Sequence, residues 1–269
     1  MKHIGKSYDK VDAKGILSGK PSYTGDFVPK DALIIKVLRS PHAQARIKSI
    51  DTSKAKLIPG VEAIFTYEDV PNTRFTLAGQ TYPEPSAYDA LILDPVVRYV
   101  GDEVALIVAK DEATALKAMP LIKVEYEVQK PVLDLRTAMD HETVVHPEDD
   151  ILNHIPVGQD YKRNICVSYH KRVGDIEGEL AKCDYVVEGT YFDQATRQSA
   201  MEPFQSFGYI DHLGRIVIVS STQIVFHVRR HIARALGIPA SKIRVIKPRI
   251  GGGFGSKQTA CTELMTAFV

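Results

Sequence analysis

Cysteine is scarce in this sequence and widely scattered. Cys166, Cys183 and Cys261 are the only three in 269 residues, and none of their separations matches the short paired spacings that hold zinc or an iron–sulfur cluster. Reduced thiols in a reducing compartment are expected. Net charge is almost absent as well. Lys plus Arg number 34 and Asp plus Glu 33, so no long-range attraction draws the chain to nucleic acid or to anionic lipid. No apolar run approaches the ~20 residues of a membrane span, and the opening "MKHIGKSYDKVDAKG" has no apolar core of the signal-peptide kind. The expectation is a cytoplasmic protein with neither a nucleic acid nor a membrane as partner. Internal repeats and low-complexity tracts are missing too. What is present is ordinary globular composition, 44% hydrophobic and 25% charged, in a chain long enough for two domains.

In the first half, "ALIIKVLRS" (32–40), "VEAIFTYEDV" (61–70) and "EVALIVAKD" (103–111) are β-rich runs bounded by Pro, Gly or Asp. "EATALKAMPLIKVEYE" reads as a helix that Pro120 ends, followed by a strand. Residues 138–164 have weak periodicity and many Asp, Asn and His, the pattern of a connector crossing the surface. The implied division is 1–137, a connector over 138–165, and 166–269. Beyond the connector, "ICVSYHKRV" and "DYVVEGTYFD" read as strands around a short helix opened by Asp175. "SFGYID" and "RIVIVSS" form a hairpin turned at Gly214. "STQIVFHVRRHIARALGIP" is a helix that Ser221 or Thr222 caps and that Gly237 and Pro239 end, which puts Gln223 in its first turn. A strand "KIRVIK", a glycine loop and a last helix from about Lys257 complete an α+β pattern. That helix's apolar stripe of Leu264, Met265, Phe268 and Val269 meets no cap or breaker, so the expectation is a fold that continues past Val269.

"RIGGGFGSKQT" (249–259) is the chemically informative stretch. A P-loop requires Gly-Lys-Ser/Thr after its spacer, yet Ser256 precedes Lys257 here; the dinucleotide fingerprint requires glycine where Ser256 stands. Four glycines around Phe254 remain as a loop stripped of side chains, so that backbone N–H groups can approach a bulky anionic or electron-rich group. A turn needing positive φ is the plainer alternative. His227 and His231, four apart in "HVRRH", have the spacing of a metal pair, but Val228 stands where a zinc protease needs glutamate and no third ligand is evident. A solvated basic helix face is the preferred reading of that segment, with an anion or partner contact at Arg229–Arg230 as the minority one. Glu202 in "MEPFQSF" is either a surface strand end or an acid in a buried cleft.

"SSTQ" and "GGGFGSK" together resemble the molybdenum-binding subunit of xanthine dehydrogenases and related molybdenum hydroxylases. "RSPHAQARI", "GVEAIFTYEDVP", "VRYVGDEVALIVA" and "IKVEYE" resemble the family's N-terminal hammerhead domain. "GDIEGELAKCDYVVEGTY", "MEP" and the last two motifs resemble the opening of its molybdopterin-binding domain, incomplete at residue 269. The resemblance implies hydroxylation of a purine, another N-heterocycle or an aldehyde, with water as the oxygen source. It implies a molybdenum–molybdopterin cofactor, either as the plain pterin or as a dinucleotide. The 2Fe-2S and FAD centres would sit on an iron–sulfur subunit and a flavin subunit, and the rest of the molybdenum subunit would be a further partner.

Gln223 matches the glutamine whose amide hydrogen-bonds an oxygen ligand of molybdenum. Gly252, Gly253, Phe254 and Gly255 match the loop whose main chain lies against metal and pterin, and Phe254, like Gln223, is implied to approach molybdenum without ligating it through its side chain. Gln258 matches the substrate-contacting position, which is glutamate in vertebrate-type enzymes; the change removes a charge and keeps hydrogen-bonding capacity. The family's catalytic glutamate falls beyond Val269, so no catalytic residue is expected in these residues and the chain alone should be inactive. The competing expectations are a non-catalytic truncated or scaffold fragment that binds no cofactor, and a nucleotide-binding module built on the glycine loop.

Overall fold

The computed structural model describes residues 3–77 and 81–269. In chain order its elements are α1 (Ala13–Leu17), β1 (Ile34–Arg39), β2 (Ala45–Asp51), α2 (Ser53–Lys56), β3 (Val61–Phe65), β4 (Val96–Val97), β5 (Glu103–Ala109) and α3 (Glu112–Ala118). They continue with β6 (Lys123–Val128), α4 (Ile176–Leu180), β7 (Ser206–Ile210), β8 (Ile216–Ser220), α5 (Val225–Leu236), β9 (Ile243–Ile246) and α6 (Glu263–Phe268).

β5 is the middle strand of an antiparallel sheet ordered β1-β5-β3. Its residues 104–109 are all buried, which a near-continuous apolar run allows only when both sheet faces are covered. Alternation sends Ala105, Ile107 and Ala109 toward Ala115 and Ala118 of α3. Leu106 joins Phe75, Ile218, Val228, Ile232 and Leu264 in a second cluster. α3 starts where Asp111 accepts from the Thr114 amide at 2.7 Å and ends in a turn containing Pro120. A second sheet, β4-β2-β6, completes the first half.

In the second half, the β7–β8 hairpin turns through Gly214 at φ +68°. β8 and β9 run parallel because α5 carries the chain back between them. Val228, Ile232 and Ala235 form the buried stripe of α5. Gly237 then takes a left-handed conformation that ends the helix.

The two halves share a core and a polar clamp. The Leu106 cluster draws from both, and the Phe65 and Phe268 rings meet edge-on at 5.1 Å. The "HVRRH" segment is not a solvated face. His231 is buried, and Arg230 donates to Glu84 Oε1 at 2.9 Å and to the Thr81 carbonyl at 3.1 Å. Its guanidinium stands 4.9 Å from the Tyr82 ring centroid. Arg234 donates to the Arg74 carbonyl at 3.1 Å. Burial pushes the Glu84 carboxyl upward, but hydrogen bonds, with that from Arg230 foremost, outweigh it and hold the group below its usual range. Arg230→Met should therefore lower the unfolding free energy by about 1.5–3 kcal/mol, the worth of a charge-assisted hydrogen bond left unmade. Urea unfolding reads this loss, and a change within error would show that the clamp carries nothing.

Two other expectations are corrected. "ICVSYHKRV" and "DYVVEGTYFD" have strand-like composition but form no strand; only Ile165 makes an isolated bridge, to Asp160. Tyr185, Val187, Tyr191 and Phe192 are each about nine-tenths exposed, and a strand without a partner has no hydrogen-bond ladder to hold it. The last helix begins at Glu263 rather than near Lys257, because successive turns occupy the residues between.

Candidate functional site

β9 delivers the chain into the glycine loop, and β8 delivers it into Gln223. The two segments meet directly: the Gln223 amide donates to the Lys257 carbonyl at 2.9 Å. A Cβ placed on Gly253 would stand 2.6 Å from Gln223 Oε1, so the carboxamide lies against the bare Cα. Gln223 itself is two residues ahead of α5, not in its first turn. The Thr222 hydroxyl accepts from the Ile224 amide at 3.1 Å and makes the bend that turns Gln223 toward the loop.

The loop alternates in handedness. Gly252, Phe254 and Gly255 have φ of +102°, +50° and +86°, which for a phenylalanine is a strained conformation. Inside the loop, Ser256 donates its amide and hydroxyl to the Gly253 carbonyl at 2.8 and 2.6 Å. The Gln258 amide donates to Gly255 at 3.2 Å. Among the described residues, no acceptor meets the amides of 252–255. Four successive unpaired donors in a chain that switches hand form a concavity suited to negative or electron-rich groups. Phe254 is 73% exposed, with its ring edge over Gly252. Around Gly255 a Cβ would meet nothing, so the outer side of the loop is open.

Beneath the loop lies a buried ionic cluster. Glu202 Oε2 accepts from the Gly251 amide at 2.7 Å, from Ser221 at 2.5 Å and from Lys257 at 3.2 Å; Oε1 accepts from Gln205 at 2.9 Å. The Lys257 ammonium also donates to the Glu202 carbonyl at 2.8 Å and to Ser221 at 2.6 Å. Both side chains are buried. Burial pushes the Glu202 carboxyl up, and the hydrogen bonds from Gly251, Ser221, Gln205 and Lys257 together hold it below its usual range. Glu202 is thus the buried acid of the two readings open in the sequence. Its partners Lys257 and Ser221 escaped the sequence reading, since nothing local distinguishes a buried lysine from a solvated one.

Gln223 and the glycine loop are therefore brought together, and Gln258 follows within the same run of turns. His227 and His231 form no metal cluster: no group of three or more His, Cys, Asp or Glu side chains among the described residues could hold an ion. The cysteines are free. No helix among the described residues is long and apolar enough to cross a membrane.

The chain is 40% identical over 289 aligned residues to the probable hypoxanthine oxidase XdhD of Escherichia coli (strain K12), covering 98% of this chain and 30% of that protein. It is 31% identical to the nicotinate dehydrogenase large molybdopterin subunit of Eubacterium barkeri, covering 94% and 55% respectively. The crystal structure of quinoline 2-oxidoreductase from Pseudomonas putida 86 superposes with a TM-score of 0.77 at 30% identity, over 94% of this chain and 31% of that one. The chain thus spans between about a third and about half the length of these relatives. Residues 18–130 match the aldehyde oxidase and xanthine dehydrogenase a/b hammerhead domain, and residues 157–269 match the molybdopterin cofactor-binding domain. With those two domains in that order on an α+β frame, the chain belongs to the xanthine dehydrogenase and aldehyde oxidase family of molybdenum hydroxylases.

Proposed function

We propose that this chain forms one wall of the cofactor site of a molybdenum hydroxylase that oxidises a purine, another N-heterocycle or an aldehyde with oxygen from water. The observation that carries the reading is the row of four unpaired amides at 252–255 with the Gln223 carboxamide laid against Gly253. These residues fit a flat cofactor carrying oxo groups. The bare backbone permits close approach, and any side chain at Gly253 would displace the glutamine. When bound, the molybdenum–pterin group would supply the two-electron oxidation.

The chain's own residues would do the rest. Gln223 offers a neutral donor beside the loop, its main chain held by the bond to the Lys257 carbonyl. Gly252, Gly253 and Gly255 offer main-chain donors, Phe254 an apolar surface that excludes water, and Gln258 a hydrogen-bonding group toward substrate. The domain limits proposed are 1–137 and 166–269 with a connector between them. Iron–sulfur and flavin subunits would take the electrons onward, and the general base would come from polypeptide beyond these residues. Such a base contributes about 10²–10⁴-fold, so the 269 residues alone should not turn over.

Purifying the protein from its native host with its co-purifying polypeptides tests this. Stoichiometric molybdenum and the fluorescence of released, oxidised pterin are expected, with both reduced about 10–100-fold by Gln223→Ala at unchanged thermal stability. A native preparation containing neither molybdenum nor pterin would overturn the reading.

A further inference from the structure

We propose that a cleft beside the start of α5 is a binding site for a phosphate-bearing anion, held by Arg229 and Arg244. The cleft has a volume of about 310 Å³ and is lined by Arg215, Arg229 and Arg244 together with Ser241 and Phe226. None of its lining residues is acidic. Arg215 is neutralised by Asp211, to which its Nε donates at 2.9 Å. Among the described residues, no carboxylate pairs with Arg229 or Arg244, which leaves two positive charges on the cleft.

Arg229 carries the argument furthest. Its Nε is buried and finds no hydrogen-bond partner among the described residues. Such a donor is normally satisfied, and a turn of the guanidinium toward the cleft would let an oxyanion satisfy it. Val225 and Phe226, which form another wall, lie ahead of the helix's first internal hydrogen bond, from the Val228 amide to the Ile224 carbonyl. α5 has twelve residues, no side-chain cap and no acid in its first turn, so the positive end of its dipole is not neutralised locally. Two guanidinium groups beside that end match a dianion, and their planar forks suit phosphate oxygens. The cleft is larger than inorganic phosphate needs, and the exposed Phe226 ring borders the room left for the organic part of an ester. None of the lining residues belongs to the glycine loop or to Gln223, so the site is separate from the cofactor reading and does not depend on it.

The test is calorimetric titration of the purified chain with inorganic phosphate, with phenyl phosphate, and with acetate at matched ionic strength and a pH where phosphate is dianionic. Saturable one-to-one binding of both phosphates is expected, with acetate much weaker. Arg244→Gln and Arg229→Gln should each weaken phosphate at least tenfold. Arg136→Gln, at an exposed arginine elsewhere, should leave it unchanged. Because Arg244 is itself exposed, its variant keeps the test decisive even if Arg229→Gln unfolds. Absence of saturable phosphate binding, acetate binding as tightly as phosphate, or full affinity in Arg244→Gln would overturn the proposal; preference for acetate would mark the cleft as a seat for a protein carboxylate instead.

Discussion

Lys257→Met should lower the unfolding free energy by about 3–5 kcal/mol at neutral pH, the loss typical when a buried ion pair is deprived of one partner. Three segments depend on the Lys257 ammonium: the Glu202 carboxylate and carbonyl, the Ser221 hydroxyl, and the loop in which Lys257 itself resides. Methionine has nearly the right length but donates nothing, so Glu202 keeps its charge without a counterion. Removing both charges, as Glu202→Met with Lys257→Met, should cost less than the sum of the single changes, because no charge is then buried alone. The pH dependence has a definite direction. Folded-state hydrogen bonds hold the Glu202 carboxyl low, so its stabilisation is present above the ordinary carboxylate range and is lost as pH falls through the lower folded value. The deficit of Lys257→Met relative to the parent should therefore shrink between neutral pH and a pH below the ordinary carboxylate range. Urea unfolding at both pH values measures it, and a deficit under about 1 kcal/mol at neutral pH would show that the cluster does not brace the loop.

The parts of this architecture that were legible in the sequence are those fixed by local chemistry. α5 announces itself through Val228, Ile232 and Ala235 at helical spacing and through Gly237, whose left-handed conformation needs no partner elsewhere. β5 is legible because its apolar run is bounded by Asp102 and Lys110. Pairing across distance is not legible. The alternation in "DYVVEGTYFD" describes a face that could be buried, not a neighbour that buries it, and here Tyr185 and Tyr191 remain uncovered. Arg230 reads as a wet helix residue until Glu84, 146 positions earlier, is found beside it. β2 and β4 went unread as strands for a similar reason: Val96–Val97 is too short to show a period and is defined by its pairing with Ala45 and Arg46. At the candidate site, the glycine run and Gln223 stand out by composition. The Glu202–Lys257–Ser221 support does not, because it is assembled from three separate stretches and only burial gives it meaning.

Two glycines of the same loop should respond in opposite ways to the same substitution. At Gly251 an added Cβ would stand 2.5 Å from Glu202 Cβ and 3.4 Å from its amide nitrogen. Neither neighbour can yield, since the Glu202 amide donates to the Gly251 carbonyl and the Gly251 amide returns a bond to the Glu202 carboxylate. Gly251→Ala should therefore cost about 1–3 kcal/mol by overpacking, visible as an earlier urea midpoint. At Gly253 the new Cβ would meet the end of the Gln223 side chain, which is exposed and can swing away. Gly253→Ala should leave stability within about 0.5 kcal/mol of the parent while expelling the carboxamide from its seat. In the cofactor-bearing protein, that variant should retain about 10–100-fold less molybdenum and pterin, the scale of loss when a group orienting a metal site is displaced. The two readouts separate what the loop is braced by from what it is bare for. If Gly253→Ala instead kept its full complement of pterin and molybdenum, the contact between Gln223 and the loop would be a packing detail, and the emptiness of residues 252–255 would need another occupant.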